Sequence, residues 1–197
     1  MDETEVKNKD NEGGFMGFVA EVVKFVVLAV IIVVPIRVYV AQPYIVSGNS
    51  MYPTFKNGEY LVVDQLTYRF AEPQHGDVIV FRFPNNPSQF FIKRIIGIPG
   101  ETVRIENGKL FIARGEDEAR VEIPVAEPYA GPGSFDSKTL ALGDNEYFVM
   151  GDNRGASLDS RSWGPLSRDL IRGRALVRLF PVTATSLFPG KADFLNE

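Results

Sequence analysis

There is no cysteine among the 197 residues. Disulfides, thiolate nucleophiles and cysteine-ligated metals are excluded together. Cysteine usage therefore assigns no redox compartment. There is a single histidine, His75. A centre built on several histidines is impossible, and a Ser-His-Asp triad would have to use this one ring. His75 lies in Pro73-Gln74-His75-Gly76-Asp77, a turn before an apolar run, where a solvent-exposed position needs no chemistry. Glu101, Asp144 and Asp152 each stand in turn sequences and make poor paired carboxylates. Lysine and arginine number 21 against 25 acidic residues, and the basic residues are scattered. The electrostatic footprint of a nucleic-acid binder is missing, and neither a metal nor a cofactor is expected. The length and the 45% hydrophobic content suffice for one domain with a core, or one domain carrying a small inserted lobe.

Long hydrophobic runs are also scarce, with one exception. Residues 1–14 are polar and read as a disordered cytoplasmic tail. Residues 15–40 follow as an apolar stretch. Its uncharged centre, 25–36, falls short of the ~20 residues a membrane span usually takes. Lys24 and Arg37 flank that centre and can snorkel, which lengthens the usable segment. The centre is apolar on every face, unlike a surface helix. A cleaved signal peptide is disfavoured, because an end at Ala41 puts the large Tyr39 where a small residue is needed. The reading is a retained transmembrane anchor over 15–40. Lys7, Lys9 and Lys24 against Arg37 favour the N-terminus inside, and Pro35 is expected to kink or end the helix.

Beyond residue 40 the pattern changes to short β-rich runs. Residues 60–63, 77–83, 90–96, 101–105, 109–113, 120–124, 146–150 and 174–180 read as strands, and Asn107-Gly108 as a hairpin turn. The fold class is all-β, mainly antiparallel and partly closed, with few helices, behind one N-terminal transmembrane helix. Residues 41–106 and 144–197 are expected to form the main domain. Residues 107–143, more charged and loop-rich, read as a small inserted β-lobe.

Three stretches could carry chemistry. The first is Ser47-Gly48-Asn49-Ser50-Met51-Tyr52-Pro53-Thr54-Phe55. A serine in a glycine-containing turn can sit where backbone N–H groups meet an oxyanion, although such a turn is common on its own. The second is Phe90-Phe91-Ile92-Lys93-Arg94-Ile95-Ile96. Strand alternation puts Lys93 on the face of Phe91 and Ile95, where desolvation lowers an amine's pKa and makes it a base. The plain alternative is a protective lysine on an edge strand. The third runs from Gly151-Asp152-Asn153-Arg154 through Ser157, Asp159, Ser160 and Arg161 to Trp163, the only tryptophan. A polar loop between apolar runs either builds a network or is a well-capped surface loop.

Together, behind an apolar anchor, these stretches resemble the type I signal peptidases, a Ser-Lys family of membrane-bound endopeptidases. Ser50-Met51 with Pro53-Thr54 is similar to the nucleophile box. Lys93-Arg94 with Gly97 and Pro99-Gly100 is similar to the lysine box, and the third stretch to the last box. Gly76-Asp77-Val78-Ile79-Val80-Phe81 matches the strand box between the first two. The resemblance implies an acyl-enzyme on Ser50, with Lys93 as general base and no cofactor. It implies that Ser157 hydrogen-bonds the lysine amine and that Asp159 and Arg161 form a supporting ion pair. Gly48 stands where some members carry a serine hydroxyl in the oxyanion hole. That implies the Gram-positive-like branch, and a water or the Gly48 backbone as second donor beside the Ser50 N–H. Val46, Met51, Val80, Phe91 and Ile92 would wall an apolar pocket for small side chains, suiting cleavage after Ala-X-Ala-like sites. The implied partners are signal peptides of exported precursor proteins and the lipid bilayer, with a monomer acting near the secretion machinery. The implied location is the cell membrane, single-pass, with an extracytoplasmic catalytic domain. An exposed apolar surface including Tyr44, Phe55 and Phe83 would meet the membrane interface. Two other readings stand beside this one. Self-cleaving repressors share a Ser-Lys dyad on a similar β-fold but carry a DNA-binding domain, for which there is no room here. A non-enzymatic tethered β-domain has no reason to keep Ser50, Lys93 and Ser157 together.

Overall fold

The computed structural model describes residues 6–35, 41–114, 121–125, 127–131 and 136–192, with the side chains of 6–14, 35 and 121 left aside. The ends of the expected tail (1–5) and anchor (36–40), and residues 115–120, 126 and 132–135 of the expected lobe, lie outside the described residues. The chain divides into two units, one up to Val40 and one from Ala41.

The first unit contains helix α1, Val6–Pro35. Its segment Phe15–Val34 has 20 residues, and none of it is buried. At 1.5 Å rise per residue such a segment covers about 30 Å, the thickness of a bilayer's hydrocarbon core. Length and composition thus suit membrane anchoring. The helix begins at Val6, inside the stretch expected to be disordered. Once a helix is nucleated by a strong apolar segment, each further residue adds a hydrogen bond at little extra cost.

The second unit is all-β, as expected, with its strands paired antiparallel. The strands are β1 (Ala41–Ile45), β2 (Tyr60–Asp64), β3 (Val78–Phe83), β4 (Asn86–Gly97), β5 (Thr102–Glu106), β6 (Lys109–Arg114), β7 (Val121–Pro124), β8 (Lys138–Ala141), β9 (Glu146–Met150), β10 (Leu166–Ser167), β11 (Ile171–Phe180) and β12 (Ser186–Leu187). A one-turn helix α2, Ser160–Trp163, lies between β9 and β10. The main sheet runs β1-β2-β11-β3-β4-β9-β10, with β12 on β11, and a smaller sheet runs β7-β6-β5-β8. Asn107 and Gly108 join β5 to β6 with positive φ at both residues, 50° and 74°, the conformation a two-residue hairpin requires.

Period-two alternation gives the main sheet an apolar cluster on each face. Ile79, Phe81, Ile95, Val149 and Leu166 pack on one side with Tyr68. Leu61, Val78 and Ala175 pack on the other against Val46, Met51 and Phe55 of the β1–β2 loop. A third cluster joins Val103, Ile105, Leu110 and Ile112 of the small sheet to Ile96, Phe148 and Met150. Strands β4 and β9 therefore serve both sheets; β4 carries Lys93, and β9 leads directly into the polar loop that begins at Gly151.

Two expectations need correcting here. Phe55 is completely buried and offers nothing to a surface; its aromatic ring is the anchor of the β1–β2 loop. His75 is not solvent-exposed. Its side chain is 10% exposed and its Nε2 lies 2.7 Å from Oε2 of the buried Glu101, which Arg114 also holds. Burial alone would raise the Glu101 pKa, but His75, the Ile98 N–H and Arg114 hold it low.

Candidate active site

Ser50 sits in the loop between β1 and β2. Val46 N–H donates to Glu59 O at 2.9 Å and Gly58 N–H to Val46 O at 2.8 Å, closing the neck of the loop. Met51 and Phe55 sink into the core, so the stretch before them is held at its rim. From the other side Asn153 N–H donates to Ser50 O and Asn153 Nδ2 to Asn49 O, both at 3.0 Å. The Ser50 backbone is thus tied to the loop that follows β9.

Lys93 is carried by β4, opposite Ile79 of β3. The pairing of β4 with β9 begins only at Arg94. Lys93 is therefore the last residue of a half-strand whose second edge pairs with no strand among the described residues. It is nevertheless only 3% exposed. Its Nζ lies 2.6 Å from Ser50 Oγ, 3.0 Å from Ile92 O and 5.3 Å from the centre of the Phe91 ring. Burial pushes the amine down from its ordinary 10.5 to about 8; Asp159 and Asp152 pull it upward and Arg161 pushes it lower. Desolvation wins, because it penalises the ammonium and not the amine. At pH 7 about a tenth of such amines is neutral, against less than about one in a thousand for a free lysine. A neutral amine at this distance can accept a hydroxyl proton.

The β9–β10 connection surrounds this pair. Gly151 is where the chains come closest. A Cβ there would stand 2.2 Å from Ser157 Oγ and 2.3 Å from Ser50 O, so only glycine fits. Gly151 N–H donates to Asp159 Oδ2 at 3.1 Å. Asp159 is fully buried, begins α2, and takes both arms of the Arg161 fork at 2.7 Å. Burial would raise its pKa, but the Arg161 bonds and charge hold it below the usual carboxylate range.

Two resemblance-derived details differ in the geometry. Ser157 Oγ is buried, but no hydrogen bond joins it to Lys93 Nζ among the described residues; it is crowded against Gly151 and turned toward Asp159. Gly48 N–H already donates to Asn57 Oδ1 at 2.9 Å, so it is engaged as an acceptor's partner rather than aimed at substrate. A distant side chain fixed that donor, and the local Ser-Gly-Asn-Ser pattern carried no trace of it.

The site also contains a pair that the sequence reading left without a role. Arg94 and Asp152, both 0% exposed, meet in a fork at 2.9 Å (Nε–Oδ1) and 2.6 Å (Nη2–Oδ2). Thr54 Oγ1 donates to the same carboxylate, and Arg94 Nη1 donates to Gly76 O at 2.9 Å. Strand alternation was the available signal: a residue next to Lys93 must point to the opposite face, and that face is also buried.

Beside Ser50 and Lys93 opens a cavity of about 530 Å³ with a mainly apolar lining. Val46, Val80, Phe91 and Ile92 line it as expected residues. Met51 does not; it is 1% exposed and lies in the core. Tyr44, Ile45, Phe90, Ala156 and Leu158 also line it. The first two lie on an edge strand and the last two flank Ser157, and none was expected.

A serine hydroxyl, a buried amine at hydrogen-bonding distance and an adjoining apolar cleft form the outline of a serine hydrolase site. A family model described as "Signal peptidase, peptidase S26" matches residues 19–180. The chain belongs to this family of signal peptidases, serine endopeptidases of the type I class. It is 35% identical over 179 residues to the probable signal peptidase I-2 of Synechocystis sp., covering 88% of this chain and 78% of that protein. It is 36% identical over 174 residues to the probable signal peptidase I-1 of the same organism, covering 84% and 85%. It is 36% identical over 169 residues to signal peptidase I S of Bacillus subtilis, covering 83% and 90%.

Proposed function

We propose that this peptidase removes signal peptides from exported precursor proteins, with Ser50 as nucleophile and Lys93 as general base. The contact of 2.6 Å between Lys93 Nζ and Ser50 Oγ, made by an amine whose pKa is brought to about 8, carries this reading. Neutral Lys93 takes the hydroxyl proton as Ser50 Oγ attacks the scissile carbonyl. The resulting ammonium gives that proton to the departing amine of the mature protein. An ester on Ser50 remains, and Lys93 then activates a water to hydrolyse it. The Ser50 N–H supplies one oxyanion donor.

Recognition follows from the edge of β4 before Arg94, which pairs with no strand among the described residues. An extended substrate can add its backbone there, running toward Ser50, with side chains alternating into the cavity. Val80, Ile92, Phe91 and Val46 favour small apolar groups near the cut, hence cleavage after Ala-X-Ala-like sites. Ser157, Asp159 and Arg161 support the dyad by shaping the loop around it. Helix α1 would anchor the enzyme in the cell membrane with its N-terminus cytoplasmic and the β-domain outside, acting as a monomer near the secretion machinery.

The test is cleavage of an exported precursor by the detergent-solubilised full chain, compared with Ser50→Ala and Lys93→Ala. Both substitutions are expected to abolish processing. Processing that survives either one refutes the dyad, and a wild-type cut after bulky residues refutes the pocket assignment.

A further inference from the structure

No described residue of the connection between β7 and β8 lines the apolar cavity. Two of its residues nevertheless bond to the loop that holds Ser50, and a third meets the strand that carries Lys93. The Glu127 carboxylate grips the Arg154 guanidinium in a fork, with Nη1–Oε2 at 2.7 Å, and Arg154 Nε donates to Gly151 O at 3.1 Å. Gly131 N–H donates to Asp152 O at 2.8 Å. Between them the Tyr129 ring lies across Arg94, its centre 3.8 Å from the guanidinium carbon.

Arg94 is the neighbour of Lys93 on β4. Its partner Asp152 is the neighbour of Asn153, whose N–H and side chain bind Ser50 O and Asn49 O. The Arg94–Asp152 fork is thus a cross-link between the strand that carries the amine and the loop that holds the hydroxyl. Such a pair is strong and rigid only while water is kept out. The ring supplies an apolar cover and a favourable π face for the cation.

We propose that Tyr129 is a positioning residue for the peptidase reaction: its ring covers the Arg94–Asp152 pair and so fixes the separation of Ser50 and Lys93. The role belongs to the ring face. This inference rests on the Ser50–Lys93 dyad proposed above. It gives the small sheet a part in catalysis, since the β7–β8 connection delivers the ring.

The test compares Tyr129→Leu and Tyr129→Phe with the wild type, in the full chain in detergent, measuring kcat and KM on a peptide with an Ala-X-Ala site. Misplacement by about 1 Å is enough to cost rate by up to a hundredfold. Tyr129→Leu is expected to lower kcat by about tenfold or more, with KM changed by less than about twofold because the cavity is untouched. Tyr129→Phe is expected to keep kcat within about twofold. Wild-type kcat in Tyr129→Leu overturns the proposal, as does a Tyr129→Phe as impaired as Tyr129→Leu. Should Tyr129→Leu fail to fold, Tyr129→Trp takes its place: it keeps a ring over Arg94 and should keep kcat, and its loss of kcat overturns the proposal. Ser50→Ala and Lys93→Ala run alongside. If those two still cleave, the dyad falls and this inference with it. If they are inactive while Tyr129→Leu is unimpaired, only the role of Tyr129 falls.

Discussion

Replacing Lys93 by methionine should inactivate the enzyme and, at neutral pH, make it more stable. The magnitude follows from the Lys93 environment. At pH 7 the lysine is mainly protonated in the folded protein, where its pKa is about 8, and protonated in the unfolded chain, where it is 10.5. Holding the ammonium in its dry site costs about 3 kcal/mol, at about 1.4 kcal/mol per pKa unit. Methionine fills similar space without charge. It forfeits the Nζ bonds to Ser50 Oγ and Ile92 O, about 1 kcal/mol each. The net expectation at pH 7 is a gain of about 1 kcal/mol. A base with a depressed pKa binds fewer protons folded than unfolded between the two values, so wild-type stability rises from pH 8 to 10.5. Above that window the charge cost is gone and only the lost hydrogen bonds remain. The sign of the difference should therefore reverse, with a total swing of about 3 kcal/mol in favour of the wild type. Urea unfolding of both proteins in detergent, followed through the lone Trp163 at pH 7 and pH 10.5, measures it. Other lysines and tyrosines titrate equally in both proteins and cancel. A difference that stays flat with pH means that Lys93 is not desolvated, and the reasoning fails.

The same displaced titration should appear in catalysis: kcat/KM should fall on the acid side with an apparent pKa near 8, and a limb near 10.5 would refute a buried base. Asp159→Asn removes a negative charge that holds the Lys93 pKa up, so this limb should move to lower pH, while loss of the buried Arg161 pair costs about 3 kcal/mol by thermal unfolding; an upward-moving limb counts against the arrangement. Gly151→Ala must displace Ser50 or Ser157, and kcat in single-turnover cleavage should drop by about a hundredfold, so wild-type turnover would contradict the crowding. Ile92→Ala should widen the cavity enough to admit valine before the cut, read out with a peptide series varied at that residue; an unchanged preference for alanine removes Ile92 from the pocket wall.

Much of the fold follows from local chemistry. Asn107-Gly108 can turn a hairpin because both residues tolerate positive φ, and β5 and β6 flank it as expected. The runs that became β2, β5 and β6 show the alternation of a half-buried strand, and β3 and β9 are short apolar runs bounded by turn residues, so each can be read singly. Strands β1 and β8, and the two-residue strands β10 and β12, carry no such signal. Ala41-Gln42-Pro43-Tyr44-Ile45 has a proline and weak alternation, and only pairing with β2 makes it a strand. As an edge strand it tolerates that proline. The site divides in the same way. Ser50 and Lys93 are legible as motifs, and the face of Lys93 from strand period. The Asn57 side chain on Gly48, the Asp152 fork on Arg94 and the Tyr129 ring above it join residues 9, 58 and 35 apart in sequence. The first is set by how the β1–β2 loop closes on itself, and the other two by sheet order and register, which no window along the chain contains.

Lys93 itself shows why a sequence can pose two alternatives that are not rivals. A lysine in an apolar strand is either a guard on an exposed edge or a buried base. Here β4 is an edge through its first half, open on one side because β9 joins only at Arg94. Lys93 stands at the end of that open stretch, where the edge passes under the Ser50 loop. An edge is required for a substrate strand to approach, and burial is required for an amine to lose its proton near neutrality. Neither half of β4 satisfies both conditions. One residue earlier, Ile92 is half-buried beside the cavity; one residue later, Arg94 is fully buried and committed to Asp152. The junction is the position on this strand where a lysine can be both reachable and dry. Moving it by one residue would also turn it to the opposite face of the sheet, into the place of Ile92 or of Arg94.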